Sequence, residues 1–156
     1  MIIVGIDPGL ATVGFGVIQK SQENIIPVSY GCIRTSAEKR SSERLLNIYN
    51  ETNALFEKYN PQTVALEKLF FNKNVTSAIR VSEARGVILL AAQQKQIPVF
   101  EYTPAQIKQA VTGSGQADKR QMQEMIKSLL GLDELPRPDD AADGLSIALC
   151  HVHIMR

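Results

Sequence analysis

Ile2 to Ile6 form a short apolar run that stops at Asp7-Pro8-Gly9, and this opening restricts the possible folds more than any other segment. A run of that length closed by turn residues reads as a buried strand, which puts Asp7 at the strand's carboxyl end. A charge placed directly after an apolar strand needs a ligand, a hydrogen bond or water to hold it. Strand-like character resumes over Gly14 to Ile18 and again over Ile25 to Ile33, so the chain begins with three consecutive antiparallel strands. From Arg40 to Tyr59 the apolar residues Leu45, Leu46, Ile48, Tyr49, Leu55 and Phe56 recur at helical spacing, and Asn60-Pro61 ends the helix.

Thr63 to Glu67 is a further strand that also finishes in a carboxylate, so Glu67 and Asp7 hold equivalent positions. A helix is expected from about Val75 to Lys95, then a fifth strand over Val99 to Tyr102. Thr103-Pro104-Ala105-Gln106 has the form of a capping box with proline at the first helical position, opening a short helix through Val111. After the Gly113-Ser114-Gly115 turn, Asp118 to Leu130 is helical, and a last helix runs from about Asp139 to His153. This order predicts an α/β domain with a mixed five-stranded sheet flanked by helices. At 156 residues, with 44% hydrophobic content and 21% charge, residues 1–156 fit a single domain.

Composition narrows the function less. The start carries no charged leader or long apolar stretch, which predicts a cytoplasmic protein. Cys32 and Cys150 fit buried thiols better than a disulfide. A net charge of +1 does not by itself mark a nucleic-acid binder. If several carboxylates are gathered in one site, however, the remaining surface is more basic, with Lys73, Arg80, Arg85, Lys108, Lys119, Arg120 and Lys127 all in the second half.

The candidate chemistry lies in acids. Asp140 and Asp143 stand three residues apart, on one face of the last helix and near its first turn. Interaction with the helix macrodipole would by itself place acids there, and for Asp139 that is the preferred reading. For Asp140 and Asp143 a site is preferred, because Ala141-Ala142 between them suggest a face packed closely against something. Asp7, Glu67, Asp140 and Asp143 together match what magnesium takes from a protein, a few carboxylates with room left for water and phosphate. Two such ions can activate water on one side of a phosphodiester and stabilise the leaving oxygen on the other. Cys150, His151 and His153 fit no common zinc spacing, and the Gly113 to Lys119 segment lacks the phosphate-loop pattern.

Several ordered blocks carry a resemblance: Gly5-Ile6-Asp7-Pro8-Gly9, Ala65-Leu66-Glu67 with Phe70-Phe71-Asn72-Lys73-Asn74, Ala84-Arg85-Gly86, Pro98 to Tyr102, Lys108-Gln109 and Asp140-Ala141-Ala142-Asp143. Across nearly the whole chain they resemble the RuvC family of Holliday-junction resolvases. The resemblance implies a ribonuclease-H-like fold, a two-fold symmetric homodimer, and magnesium-dependent nicking of two opposed strands of a four-way DNA junction. It implies that Asp7, Glu67, Asp140 and Asp143 form the catalytic, metal-binding tetrad, with Mn2+ a substitute for Mg2+. Phe70 matches an aromatic side chain that inserts at the opened junction, Lys73 falls in the same block as a DNA contact, and Lys108 and Lys119 match basic residues near the scissile phosphate. The implied products are 5′-phosphate and 3′-hydroxyl ends, and the implied partner is a branch-migration helicase complex of the RuvA and RuvB type.

On the residues alone, Lys108 and Lys119 fit solvated surface lysines as well as fixed positive charges. Phe70 and Phe71 fit one core and one exposed aromatic. The helix from Val75 carries Ala78, Val81, Ser82, Gly86, Leu89 and Leu90, small and apolar residues that make it the expected dimer face. Gly5 to Val17 also looks like the first phosphate hairpin of actin-like kinases, which need a second lobe that a chain of this length is not expected to hold. A non-catalytic junction-binding module and a nuclease for RNA–DNA hybrids are the other competing readings.

Overall fold

The structure is a computed structural model describing residues 1–69 and 74–155. Ten elements follow in order: β1 (Ile2–Asp7), β2 (Thr12–Lys20), β3 (Ile25–Arg34), α1 (Ser41–Tyr59), β4 (Thr63–Glu67), α2 (Val75–Gln94), β5 (Val99–Tyr102), α3 (Pro104–Thr112), α4 (Lys119–Leu130) and α5 (Asp139–Ile154). The sheet order is β3-β2-β1-β4-β5. β1, β2 and β3 pair antiparallel, whereas β4 lies parallel to β1 and β5 parallel to β4. The mixed five-stranded sheet expected from the sequence is therefore present. β2 runs further than its apolar segment, because its pairing continues past Ile18, to Gln19 with β1 and to Lys20 with β3.

Local signals place the helix ends. Thr103 and Gln106 form the reciprocal capping box at α3, with Pro104 in the first turn. α1 stops where Asn60 takes a left-handed conformation, φ 46°, ahead of Pro61. Asp118 caps α4, its carboxylate accepting from the Gln121 N–H at 2.8 Å.

Side chains alternate across the sheet and give it two unlike faces. Val4, Ile6, Val17, Val64 and Leu66 point to one side, where they pack with Ile48 and Phe56 of α1 and Ile88 of α2. Ile3 and Ile18 point to the other, against Leu145, Ala148 and Leu149 of α5 and Ile126 of α4. On this second face the central positions are small. A β-carbon on Gly16 would stand 2.5 Å from the Leu145 nitrogen, one on Gly14 would overlap the Asp140 carbonyl, and one on Gly5 would overlap that of Gly144. With Ala65 beside them on β4, these glycines let the backbone of α5 lie directly on β1 and β2.

The dimer face expected on α2 needs one correction. Ala78 is buried and Leu89 packs onto the protein's own core, because the helix turns those positions inward. The outward strip holds Val75 (71% exposed), Ile79 (53%) and Leu90 (54%), with Ser82 and an open Gly86 between them. No helix among the described residues is long and apolar enough to cross a membrane.

Candidate active site

Strand alternation aims the first two acids. Asp7 lies two residues beyond Gly5 and Glu67 two beyond Ala65, so both carboxylates point to the α5 face at the ends of adjacent strands. The glycine seam brings the first turn of α5 down onto the same strand ends. Gly14, the residue whose β-carbon would strike Asp140, pairs directly with Asp7. Carboxylate oxygens of Asp7, Asp140 and Asp143 consequently lie within 4.8 Å of one another. Glu67 stands outside that cluster of three but lines the same cleft of about 360 Å³ with Asp7 and Asp143.

The electrostatics show a site that cannot carry its full charge alone. Burial, followed by the charges of Glu67, Asp143 and Asp140, pushes the Asp7 carboxyl up to about 8. Burial and then Asp140 raise Asp143 to about 6, and a hydrogen bond from Asp7 offsets part of that. A hydrogen bond shared with Asp143 adds to the rise at Asp7. Burial and Asp143 also raise Glu67, against the opposing charge of Lys108. Acids that raise one another in this way are relieved by a cation, and a set made wholly of carboxylate oxygens suits a hard divalent ion.

Lys108 and Lys119 line this cleft. Lys108 is felt by Glu67 and Lys119 by Asp143, so the two lysines stand toward different acids of the group. Lys119 is held by Asp139, with Nζ 2.6 Å from Oδ2, and this hydrogen bond raises the ammonium above its ordinary value. Gln123 donates to the other Asp139 oxygen at 2.9 Å. Asp139, an acid in the first turn of α5 as the helix-dipole reading has it, thus also pairs with the lysine at the rim. Only the approach of α4 to α5 creates that contact, and no local pattern announces it. The expectations on Phe70 and Lys73 lie outside the described residues.

The C-terminal histidines have partners of other kinds. His151 is buried, with Nδ1 2.6 Å from the Tyr102 hydroxyl, and His153 Nδ1 lies 2.8 Å from the Ala110 carbonyl oxygen.

A mixed sheet in this order, with acids on two adjacent strand ends and on the first turn of the helix crossing them, is the ribonuclease-H-like arrangement. The family model described as crossover junction endodeoxyribonuclease RuvC matches residues 3–151, and the chain belongs to that family. The crossover junction endodeoxyribonuclease RuvC of Desulfitobacterium hafniense (strain DSM 10664 / DCB-2) is 55% identical over 153 residues, covering 98% of this chain and 93% of the relative. That of Brevibacillus brevis is 55% identical over 151 residues, with 97% and 91% covered. Among solved structures, T. thermophilus RuvC in complex with Holliday junction substrate superposes with a TM-score of 0.95 at 36% identity, covering 100% of this chain and 95% of that one.

Proposed function

We propose that this chain resolves Holliday junctions in recombination and repair by nicking two opposed strands of a four-way junction, leaving 5′-phosphate and 3′-hydroxyl ends. The observation that carries this reading is the convergence of Asp7, Asp140 and Asp143 within 4.8 Å, with Asp7 and Asp143 lining a cleft that also holds Glu67, Lys108 and Lys119. Asp7, Glu67, Asp140 and Asp143 are the catalytic acids and would together hold Mg2+, with Mn2+ as a substitute. A pair of such ions would supply activation of the attacking water and stabilisation of the leaving oxygen.

The remaining work falls to the chain. Asp7 clusters with the two α5 acids and shares a cleft with Glu67, which joins the four into one site. Lys108 and Lys119 provide fixed positive charge for the phosphate, which counts for more inside a cleft than in open water. Phe70 and Lys73 are the proposed junction contacts; an aromatic ring can stack on an unpaired base for roughly 1–3 kcal/mol. The working unit is a homodimer joined through the outward strip of α2, which gives a two-fold junction two equivalent sites. Residues 1–156 act as one nuclease domain in the cytoplasm, alongside a branch-migration helicase complex of the RuvA and RuvB type.

The test compares a labelled four-way junction with a linear duplex of the same sequence in magnesium, calcium or chelator, using wild type and Asp7→Asn. Paired, ligatable nicks near the crossover that need both magnesium and Asp7 are expected. Binding without any cut would leave a non-catalytic junction-binding module, and faster cutting of an RNA–DNA hybrid would make the chain a different nuclease.

A further inference from the structure

Two sequence blocks, Ala84-Arg85-Gly86 and Phe100-Glu101-Tyr102, take no part in the chemistry above, yet the fold joins them. Arg85 of α2 reaches Glu101 of β5, with Nη2 2.7 Å from Oε1. The arginine side chain is only 15% exposed, against 38% for the glutamate. The contact is Coulombic: among the described residues neither Nε nor Nη2 of Arg85 makes a hydrogen bond, although both atoms are buried. Nε and Nη2 are therefore closed to any ligand, and what the side chain offers the surface is its positive charge and its remaining exposed edge.

Position gives this arginine a use. Arg85 lines a second cleft of about 360 Å³, with Lys68 and Asn74, which shares Asp7 and Glu67 with the catalytic cleft. Lys108 and Lys119 line only the first of the two. A DNA strand laid across the acids carries further phosphates beyond the scissile one, and those entering the second cleft meet Lys68 and Arg85. A guanidinium held on Glu101 presents its charge to such a phosphate from a fixed place, which a flexible ammonium does not.

We propose that Arg85 binds a backbone phosphate neighbouring the scissile one, in the cleft that Lys108 and Lys119 do not line, with Glu101 as the positioning residue that aims the guanidinium. Glu101 sits one residue before Tyr102, the β5 partner of Glu67, so the clamp is tied to the strand pair carrying a catalytic acid. The inference rests on the nuclease reading.

The test measures junction binding in calcium over a series of salt concentrations, with cleavage in magnesium followed separately. For Arg85→Gln the affinity falls about tenfold or more, and the plot of log affinity against log salt becomes shallower by about one. Glu101→Gln keeps the wild-type slope, since it removes no phosphate contact. Arg85→Lys keeps the slope and loses affinity several-fold, because the charge remains and the rigid, planar group that Glu101 holds does not; this variant decides the matter if Arg85→Gln does not fold. An unchanged slope for folded Arg85→Gln, unchanged affinity for Arg85→Lys, or full recovery of binding and cleavage in the exchanged pair Arg85→Glu with Glu101→Arg would each reduce the contact to an internal brace and overturn the proposal. Failure of the nuclease reading shows separately, as a wild-type chain that cuts no junction in magnesium, and it takes this inference with it.

Discussion

The two faces of the sheet solve opposite problems. Toward α1 and α2 the strands present Val4, Ile6, Val17, Val64 and Leu66, and large side chains such as Phe56 fill the space between layers. Toward α5 the same strands present Gly5, Gly14, Gly16 and Ala65, so a helix backbone rests on the sheet with little side-chain padding. The first face stabilises by burying apolar area. The second gives up much of that area for position: only a close-lying helix can set Asp140 and Asp143 against Asp7. Stability and activity should therefore respond to different residues.

The largest expected effect is on Asp7. Asp7→Asn lowers junction cleavage by roughly a thousandfold or more, because it removes the acid that joins the others, and metal-assisted charge stabilisation is worth several kcal/mol. The same change should stabilise the metal-free fold at neutral pH. The folded pKa values of Asp7 and Asp143, about 8 and about 6, lie above the ordinary 3.8. The native state therefore holds extra protons between those values, and stability present below 3.8 is lost as pH rises through 6 and 8. In chelator the wild-type melting temperature should fall between pH 5 and pH 8.5, with Asp7→Asn flattening the upper part of that fall. At pH 8 the variant should melt roughly 2–4 °C higher for each kcal/mol relieved. A wild-type profile with no decline would show that the acids do not burden one another.

Gly14→Ala comes next. Its methyl group would overlap the Asp140 carbonyl, so the first turn of α5 must shift. A misplacement of about 1 Å at a reacting centre costs on the order of a hundredfold, and cleavage in single-turnover assays should fall by that order while the protein still melts cooperatively. Phe56→Ala inverts the pattern. It should cost about 3–5 kcal/mol of stability by urea unfolding and leave cleavage by the folded protein within about twofold. Equal losses of activity in these two variants would erase the distinction between the faces.

The smallest effect belongs to the exposed pair at the rim. Asp139→Asn releases Lys119 from its partner and should lower cleavage several-fold, with a steeper salt dependence than wild type. Lys119→Met should lower it further if, as proposed, the lysine itself meets the phosphate.

Much of this could be seen in the sequence, and what could not has definite causes. Strand ends at Asp7 and Glu67, the Asp140 and Asp143 face, and the Thr103 capping box are local patterns within a few residues, and the fold keeps them. The glycine seam was half legible. Gly5 shares a strand parity with Asp7, Gly14 shares one with Gly16, and Ala141-Ala142 marked a closely packed helix face, but joining these required the register of β1 on β2 and knowing which helix crosses them. Ala78 was placed outward because a helix with small residues on several sides does not reveal its rotation. The contacts Lys119–Asp139 and Arg85–Glu101 join elements by tertiary packing alone, at separations of 20 and 16 residues in a chain whose helix order leaves several partners open.

The most direct test is to place the ion. A crystal soaked in Mn2+ and measured at the manganese absorption edge should show anomalous density between Asp7 and the two α5 acids, with Glu67 drawn in as a further ligand, and none at that place in Asp7→Asn. Density confined to Asp139, Asp118 or another surface acid, with the cluster of Asp7, Asp140 and Asp143 left empty, would contradict the account.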